Sequence, residues 1–383
     1  MILTNGQEKA VKICIERYKN KEPYTVISGY AGTGKTTVVK YIMEALGINE
    51  DEVIEATLTG KASLVLRNKG HKNSMTLHKL LYIPKKIPGT DEVEFIPRDI
   101  LEHHPKLIVV DECSMVSKEI FDLLLSHKIH IIFLGDNFQL PSISESANIL
   151  DKPHVVLTEI TRQALDSPII RLSMDIREGK PLVCGGPKEA RIMTENKVTE
   201  RLLLGADICL CGRNETRYKL NKQMRKLKWG DKYQEGPING DRIICLKNYW
   251  RITDNNDETP LVNGMIGTVS RVHTTETKLL RPKLTARFEN ETGEIFDKTK
   301  MNIDYKMLTE HEPRVNNDNW RDFYKVQKPL LFDYAYCITV HKSQGSQWDK
   351  VLIFSEVMGT REYYYRWLYT AVTRAVEKCV VVI

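Results

Sequence analysis

The sequence predicts an α/β protein with at least two cores, and three observations carry that reading. Its 383 residues exceed the ~100 to 200 that one domain usually holds. Short, almost wholly apolar runs alternate with helix-like segments between Tyr24 and Leu157, the pattern of a parallel sheet covered on both faces. A stretch of different texture, residues 237–329, interrupts a second set of such runs.

The elements follow in order. YTVISG reads as a strand leading into a helix from Lys35; VIEAT precedes a helix near Lys61; KLIVVD precedes SKEIFDLLL; HIIFLGD and HVVLT close the series. A second α/β unit begins after Ser167 with the helix PIIRLSMDIREG, the strand DICLCG and a helix from Asn214, and FDYAYCI, KVLIF and KCVVVI supply its later strands. Between them GDRIICLKN, MIGTVSRVH and KLTARFEN read as short strands, with Asn263-Gly264 as a hairpin-turn pair and TDNNDET as a polar turn. These make a small inserted β-barrel. A shorter insertion, residues 83–106, reads as a β-hairpin turning near Pro88-Gly89. The expected divisions are 1–82 with 107–166, then 83–106, then 167–236 with 330–383, and 237–329 as the barrel.

With 42% hydrophobic and 28% charged residues, the composition is that of a soluble globular chain and excludes a disordered or collagen-like one. No apolar run reaches the ~18 to 20 residues of a membrane span, and MILTNGQEKAVKIC lacks a signal peptide's apolar segment. The expected setting is the cytoplasm, or the host-cell cytoplasm for a phage-encoded chain, with no membrane partner. Eight cysteines include no CxxC pair; Cys209 and Cys211 share one face of a strand and read as buried thiols. A net charge of +6, from 56 basic and 50 acidic residues, fits a nucleic-acid partner without establishing one. In RYKLNKQMRKLKWGDKY, Lys219, Lys222 and Arg225 or Lys226 recur at helical spacing, which suits a solvated helix face or a stripe facing phosphates.

Residues 29–36, GYAGTGKT, match GxxxxGK[ST] between an apolar strand and a helix pattern. Glycines such as Gly29, Gly32 and Gly34 let backbone N–H groups wrap phosphates, Thr33 and Thr37 flank the wrap, Lys35 neutralises the β and γ groups of ATP, and Thr36 offers a hydroxyl to Mg²⁺. Downstream, KLIVVDECSM places Asp111 and Glu112 where a buried strand emerges. There Asp111 can hold Mg²⁺ through its water shell while Glu112 orients and deprotonates the attacking water. Hydrolysis also needs cations beyond the γ-phosphate, and Arg162 in LTEITRQ and Arg374 in YTAVTRAV are the candidates.

The ordered set LTNGQ, GYAGTGKTT, TLTGKAS, TLHKLL, VVDECSM, FLGDNFQLPS, LTEITRQ, ITVHKSQGSQWD and YTAVTRAV resembles the superfamily 1B DNA helicases, in the RecD-like and phage Dda-like branch. The resemblance implies two RecA-like P-loop domains with ATP between them, a strand-separating pin at 83–106 and an SH3-like accessory domain at 237–329, where VNGMIGTV matches a recurring NGxxGxV stretch. It implies that Gln7 reads adenine, Gln139 senses the γ-phosphate, Gly345 faces the nucleotide, and Arg162 and Arg374 act as arginine fingers. Thr59, Lys61, Thr76 and His78, with Thr339 and His341 in the second domain, would touch single-stranded DNA, and Phe95 would be the pin's wedge at a single-strand/double-strand junction. Leu58 stands where relatives usually carry proline, and Gln347 where many carry an acid.

The implied activity is an ATP-driven, 5′ to 3′ DNA helicase, a monomer of which several copies could share one strand. A DNA-stimulated translocase that strips bound proteins and a non-catalytic binding subunit are the competing readings. Intact Lys35, Asp111, Glu112, Arg162 and Arg374 argue against the second.

Overall fold

The computed structural model describes residues 3–58, 62–63, 66–67, 70–71, 73–86, 93–102, 104–141, 147–256, 260–275, 283–297, 301–310 and 329–383. They fall into two compact units, Met1–Ile83, Phe95–Val198 and Ser343–Ile383 in the first and Pro84–Glu94 and Thr199–Lys342 in the second. This grouping keeps residues 168–198 and 343–383 with the first sheet, so it cuts the chain elsewhere than the divisions expected from sequence.

In the first unit α1 (Asn5–Lys19) starts at a capping box: Thr4 Oγ1 accepts from the Gln7 amide while the Gln7 side chain accepts from Thr4 N. Next come β1 (Tyr24–Gly29), α2 (Lys35–Leu46), β2 (Val53–Thr57), β3 (Ser74–Thr76) and α3 (Leu77–Leu81). The strands β4 (Tyr82–Lys86) and β5 (Val93–Pro97), whose residues 84–86 and 93–94 are grouped with the second unit, then pair as a two-stranded sheet of their own. After them run β6 (Leu107–Val110), α4 (Lys118–Ser126), β7 (His130–Gly135), β8 (Val155–Leu157), α5 (Arg162–Leu165), α6 (Pro168–Arg177) and β9 (Ala190–Met193).

Six of these strands make one parallel sheet in the order β3-β2-β6-β7-β1-β8. Alternate residues enter opposite cores. Ile108 and Val110 of β6 join Leu77, Leu80 and Leu124 on one face, while Leu107 and Val109 join Val38, Val39 and Ile42 on the other. Double-sided burial is why the strands read as unbroken apolar runs, and the expected α/β class with a parallel sheet is what the chain forms. The sequence pattern does not announce β3, because three residues are too few to show a period. The helix expected near Lys61 lies largely outside the described residues.

The second unit contains α7 (Glu200–Gly205), β10 (Ile208–Cys211), α8 (Asn214–Trp229), β11 (Arg242–Cys245), β12 (Tyr249–Thr253), β13 (Pro260–Leu261), β14 (Ile266–Thr275), β15 (Lys283–Asn290), β16 (Ile295–Phe296), β17 (Asn302–Ile303), α9 (Tyr305–Glu310), β18 (Phe332–Tyr334) and β19 (Cys337–Thr339). An antiparallel sheet runs β16-β15-β14-β11-β18 with β17 on β15, and β12 pairs with β13. Phe288, Phe296 and Phe332 lie wholly buried in its core. Gly267 in VNGMIGTV has a steric reason: a Cβ there would run into the Glu289 carbonyl of the neighbouring strand.

FDYAYCI is not one strand. Phe332–Tyr334 pairs with β11, whereas Cys337–Thr339 pairs in parallel with β10. The break falls after Ala335, whose N still extends the β11 ladder by donating to Arg242 O at 2.9 Å, whereas Tyr336 N leaves it for the side-chain Oδ1 of Asn221 at 2.9 Å. The basic block also divides. Lys219, Lys222 and Lys226 are exposed, but Arg217 is buried on Asp333 at 2.6 Å and Arg225 is buried on Asp241, which also accepts from Trp229, Ile238 N and Tyr336. Cys209 and Cys211 are buried, with Cys211 Sγ 3.5 Å from Cys337 Sγ.

The chain ends with α10 (Val340–Ser343), β20 (Trp348–Phe354), α11 (Arg361–Val372) and β21 (Ala375–Val382). Within the first unit β20, β21 and β9 pair in parallel. Among the described residues no helix is long and apolar enough to cross a membrane.

Candidate nucleotide site

Three adjacent parallel strands, β6, β7 and β1, deliver their carboxyl ends to one place, as open parallel sheets do at their ligand sites. The loop after β1 is the phosphate-loop candidate. Gly32 and Gly34 adopt φ of 79° and 74°, which favours glycine. A Cβ on Gly29 would lie 2.7 Å from Thr33 Oγ1, and one on Gly34 2.6 Å from Gln7 Nε2. The backbone conformation thus favours glycine at positions 32 and 34, and a Cβ at 29 or 34 would displace the Thr33 or Gln7 side chain.

Lys35 Nζ donates to the carbonyls of Gly29 at 2.6 Å and Tyr30 at 3.3 Å, so its ammonium sits inside the loop's curve. Thr33 is buried with Oγ1 donating to Tyr30 O at 2.8 Å, Thr36 is exposed at the start of α2, and Thr37 is half-buried. Gln7 is buried, and its Nε2 donates to Thr33 O at 3.0 Å, which fixes α1 to the loop.

Asp111 and Glu112 follow β6. Asp111 Oδ1 accepts from Glu112 N at 2.8 Å, and Glu112 has φ of 53°, a left-handed conformation that is uncommon for a non-glycine residue. Glu112 Oε1 lies 3.7 Å from Nη2 of Arg374, a residue only 2% exposed. Gln139 is buried on the turn after β7, and its Oε1 finds no donor among the described residues. Gly345 has φ of 72° just beyond α10. Arg162 begins α5, but its side chain lies outside the described residues; the neighbouring Thr161 N donates to Gly32 O at 3.0 Å.

The donor set fits a magnesium nucleotide. A hydroxyl at Thr36 and a carboxylate at Asp111 are hard oxygen donors, and such sites take one or two protein ligands and leave the rest to phosphates and water. The orphaned Gln139 acceptor suits a water molecule or a protonated phosphate oxygen.

The expected DNA contacts are placed separately. Thr59 and Lys61 lie outside the described residues. Thr76 caps α3, accepting from Lys79 N at 3.2 Å, and His78 stacks on Tyr82 at 5.9 Å with its pKa pushed down by burial. Phe95 meets Tyr82 edge-on at 6.1 Å and packs on the first core, a position that anchors the β4–β5 pair. Thr339, buried at the end of β19, and His341 in α10 belong to the second unit, and burial lowers the His341 pKa.

Several residues at the site have no role in the sequence reading. Tyr369 OH meets both Ala31 N, at 2.8 Å, and Asp136 Oδ2, at 2.6 Å. Arg177 stacks over Tyr30 at 3.9 Å, and Gln344 Nε2 donates to Leu140 O at 2.8 Å. Asp136 stands inside GDNFQLP at a strand end, the one signal that could have marked it.

Residues 2–195 match the AAA domain family, half of the chain. The chain belongs to the AAA domain family. Residues 334–382 of this AAA-domain chain match the UvrD-like helicase C-terminal domain. It is 32% identical over 192 residues to the ATP-dependent DNA helicase dda of Enterobacteria phage T4, covering 46% of this chain and 43% of that protein. It is 24% identical over 384 residues to the ATP-dependent RecD2 DNA helicase of Deinococcus radiodurans, covering 92% and 46%. The chain thus spans less than half the length of these curated relatives. A structure of two coordinating Pif1 helicases at forked double-stranded DNA superposes with a TM-score of 0.53 at 21% identity, covering 100% of this chain and 92% of that one. That likeness is one of fold. Within the AAA domain family the chain is a superfamily 1B member, RecD/Dda-like.

Proposed function

We propose that the chain is an ATP-dependent DNA helicase that moves 5′ to 3′ on single-stranded DNA, with ATP and Mg²⁺ bound between two RecA-like domains. The observation that carries this reading is the buried Arg374, brought from the C-terminal segment to 3.7 Å from Glu112 beside the phosphate loop. A guanidinium held against an acid at the carboxyl end of a parallel strand is the arrangement phosphoryl transfer needs.

In the proposed reaction water attacks the γ-phosphorus of ATP and the bond to the β,γ-bridging oxygen breaks, giving ADP and phosphate. Glu112 takes the proton from that water, and Gln139 orients it through its free acceptor oxygen. Lys35 sits against the β and γ groups, with Arg374 and Arg162 stabilising the charge that develops on the transferred group. Thr36 and Asp111 would hold Mg²⁺, which would supply neutralisation of the phosphate charge. Gly29, Gly32, Thr33, Gly34, Thr37 and Gly345 line the nucleotide, and Gln7 faces the adenine.

Thr59, Lys61, Thr76 and His78, with Thr339 and His341, take the DNA backbone in this reading. The β4–β5 pair serves as the pin, with Phe95 at its footing, and the antiparallel sheet of the second unit as the SH3-like accessory domain. The protein works as a cytoplasmic monomer, several copies sharing a strand where DNA is long. The first test is ATP turnover with and without single-stranded DNA. The wild type is expected to show DNA-stimulated hydrolysis that Lys35→Ala abolishes; retained turnover in that variant would move the active site elsewhere.

A further inference from the structure

Tyr369 is 1% exposed on α11, the helix that leads into Arg374. Its hydroxyl accepts from Ala31 N inside the phosphate loop and donates to Asp136 Oδ2. The other Asp136 oxygen accepts from Phe138 N at 3.0 Å, the start of the turn that carries Gln139. The same helix holds the rest of that turn: Leu140 N donates to Thr370 Oγ1 at 2.8 Å, and Arg366 Nη2 donates to the carbonyls of Asn137 at 2.8 Å and Gln139 at 3.1 Å.

Packing accounts for an aromatic ring at this position, since Phe138 lies edge-on to it at 5.1 Å. It does not account for the hydroxyl. Phenylalanine would fill the same volume and leave the Ala31 amide and the Asp136 carboxylate each short of a partner. Burial and the adjacent carboxylate push the Tyr369 pKa up, so the phenol stays a neutral donor. Burial also raises Asp136, against the pull of Lys35 and the Tyr369 hydrogen bond. With Tyr369 and Asp136 both buried, the hydrogen bonds are shielded from competing water.

We infer that Tyr369 is a positioning residue for ATP hydrolysis, tying the phosphate loop to the 136–140 turn so that Gln139 and Arg374 are set by one helix. The inference rests on the reading of Gln139 and Arg374 as γ-phosphate groups. Tyr369 touches no reacting atom. When phosphates move the loop, the Ala31 amide moves with it, and the hydroxyl passes the shift to Asp136 and so to Gln139.

The experiment compares Tyr369→Phe and Asp136→Asn, singly and together, with Tyr364→Phe as control, a tyrosine of the same helix whose hydroxyl lies 2.6 Å from Ser355 Oγ just after β20. Turnover is measured at saturating single-stranded DNA, nucleotide affinity with a fluorescent ATP analogue, and folding by thermal unfolding. Losing a hydrogen bond to a charged group predicts a kcat lower by about tenfold, with nucleotide affinity unchanged and Tyr364→Phe like the wild type. The double variant should lose no more than either single one, because one relay is broken once. Wild-type kcat in Tyr369→Phe, or losses that add in the double variant, would overturn the inference. Where Tyr369→Phe does not fold, Asp136→Asn decides by the same kcat and affinity readings. A wild type without DNA-stimulated hydrolysis would remove the proposed function itself, and the inference with it.

Discussion

A guanidinium as deeply buried as that of Arg374 is costly unless its donors are met. Here Nε donates to Thr370 O at 3.1 Å, Nη1 to Ser346 O at 3.4 Å and Nη2 to Thr373 Oγ1 at 3.2 Å, leaving one edge toward Glu112. Arg374→Ala should keep nucleotide binding and lose ~10³ in turnover, the scale of an arginine finger; a rate like the wild type's would sink that assignment. Lys35, Glu112 and Arg374 were legible because their residue types stand at fixed offsets in motifs. Tyr369 was not, because an aromatic in an apolar helix reads as core and its partners Asp136 and Ala31 are distant in sequence. Burial also depresses the pKa of His78, His130, His154 and His341. A folded pKa below the unfolded ~6.5 means that the unfolded chain binds more protons in between, so stability falls as pH drops through that window. Glu55 and Asp136, raised by burial, act in the opposite sense. His130, bonded to Glu22 O at 2.7 Å and Thr25 Oγ1 at 3.1 Å, isolates the effect. His130→Gln should flatten the dependence of the urea midpoint on pH below ~6.5; an unchanged slope would contradict it.

The elements were legible to different degrees for physical reasons. Strands buried on both faces, such as β6 and β7, announce themselves as apolar runs. The join at Ala335 and Tyr336 does not, because the chain stays apolar while the hydrogen-bonding partner changes from β11 to β10. The β4–β5 pair was expected as a hairpin from its turn residues, which lie at 87–92, outside the described residues. Phe95, on β5, packs back onto the first core. Excising 86–93 and joining the ends by a short turn therefore keeps that anchor. If the pair is the pin, this variant retains DNA-stimulated ATPase and stops separating strands. Loss of both activities would make the segment structural.

Across the whole molecule, the α/β class followed from composition, length and the alternation of elements, which are properties every part of the chain shares. Polarity is different in kind: no residue type or spacing encodes a direction along DNA, and 5′ to 3′ enters through resemblance alone. Opening a base-pair step costs ~1.4 kcal/mol on average, so a translocating motor with a modest wedge suffices for unwinding. The most direct measurement is ATP-dependent strand separation on two matched duplexes, one with a 5′ and one with a 3′ single-stranded tail, with ATP turnover followed in the same samples. The account predicts unwinding from the 5′ tail only. Turnover stimulated by DNA with no unwinding from either tail, or unwinding from the 3′ tail, would contradict it.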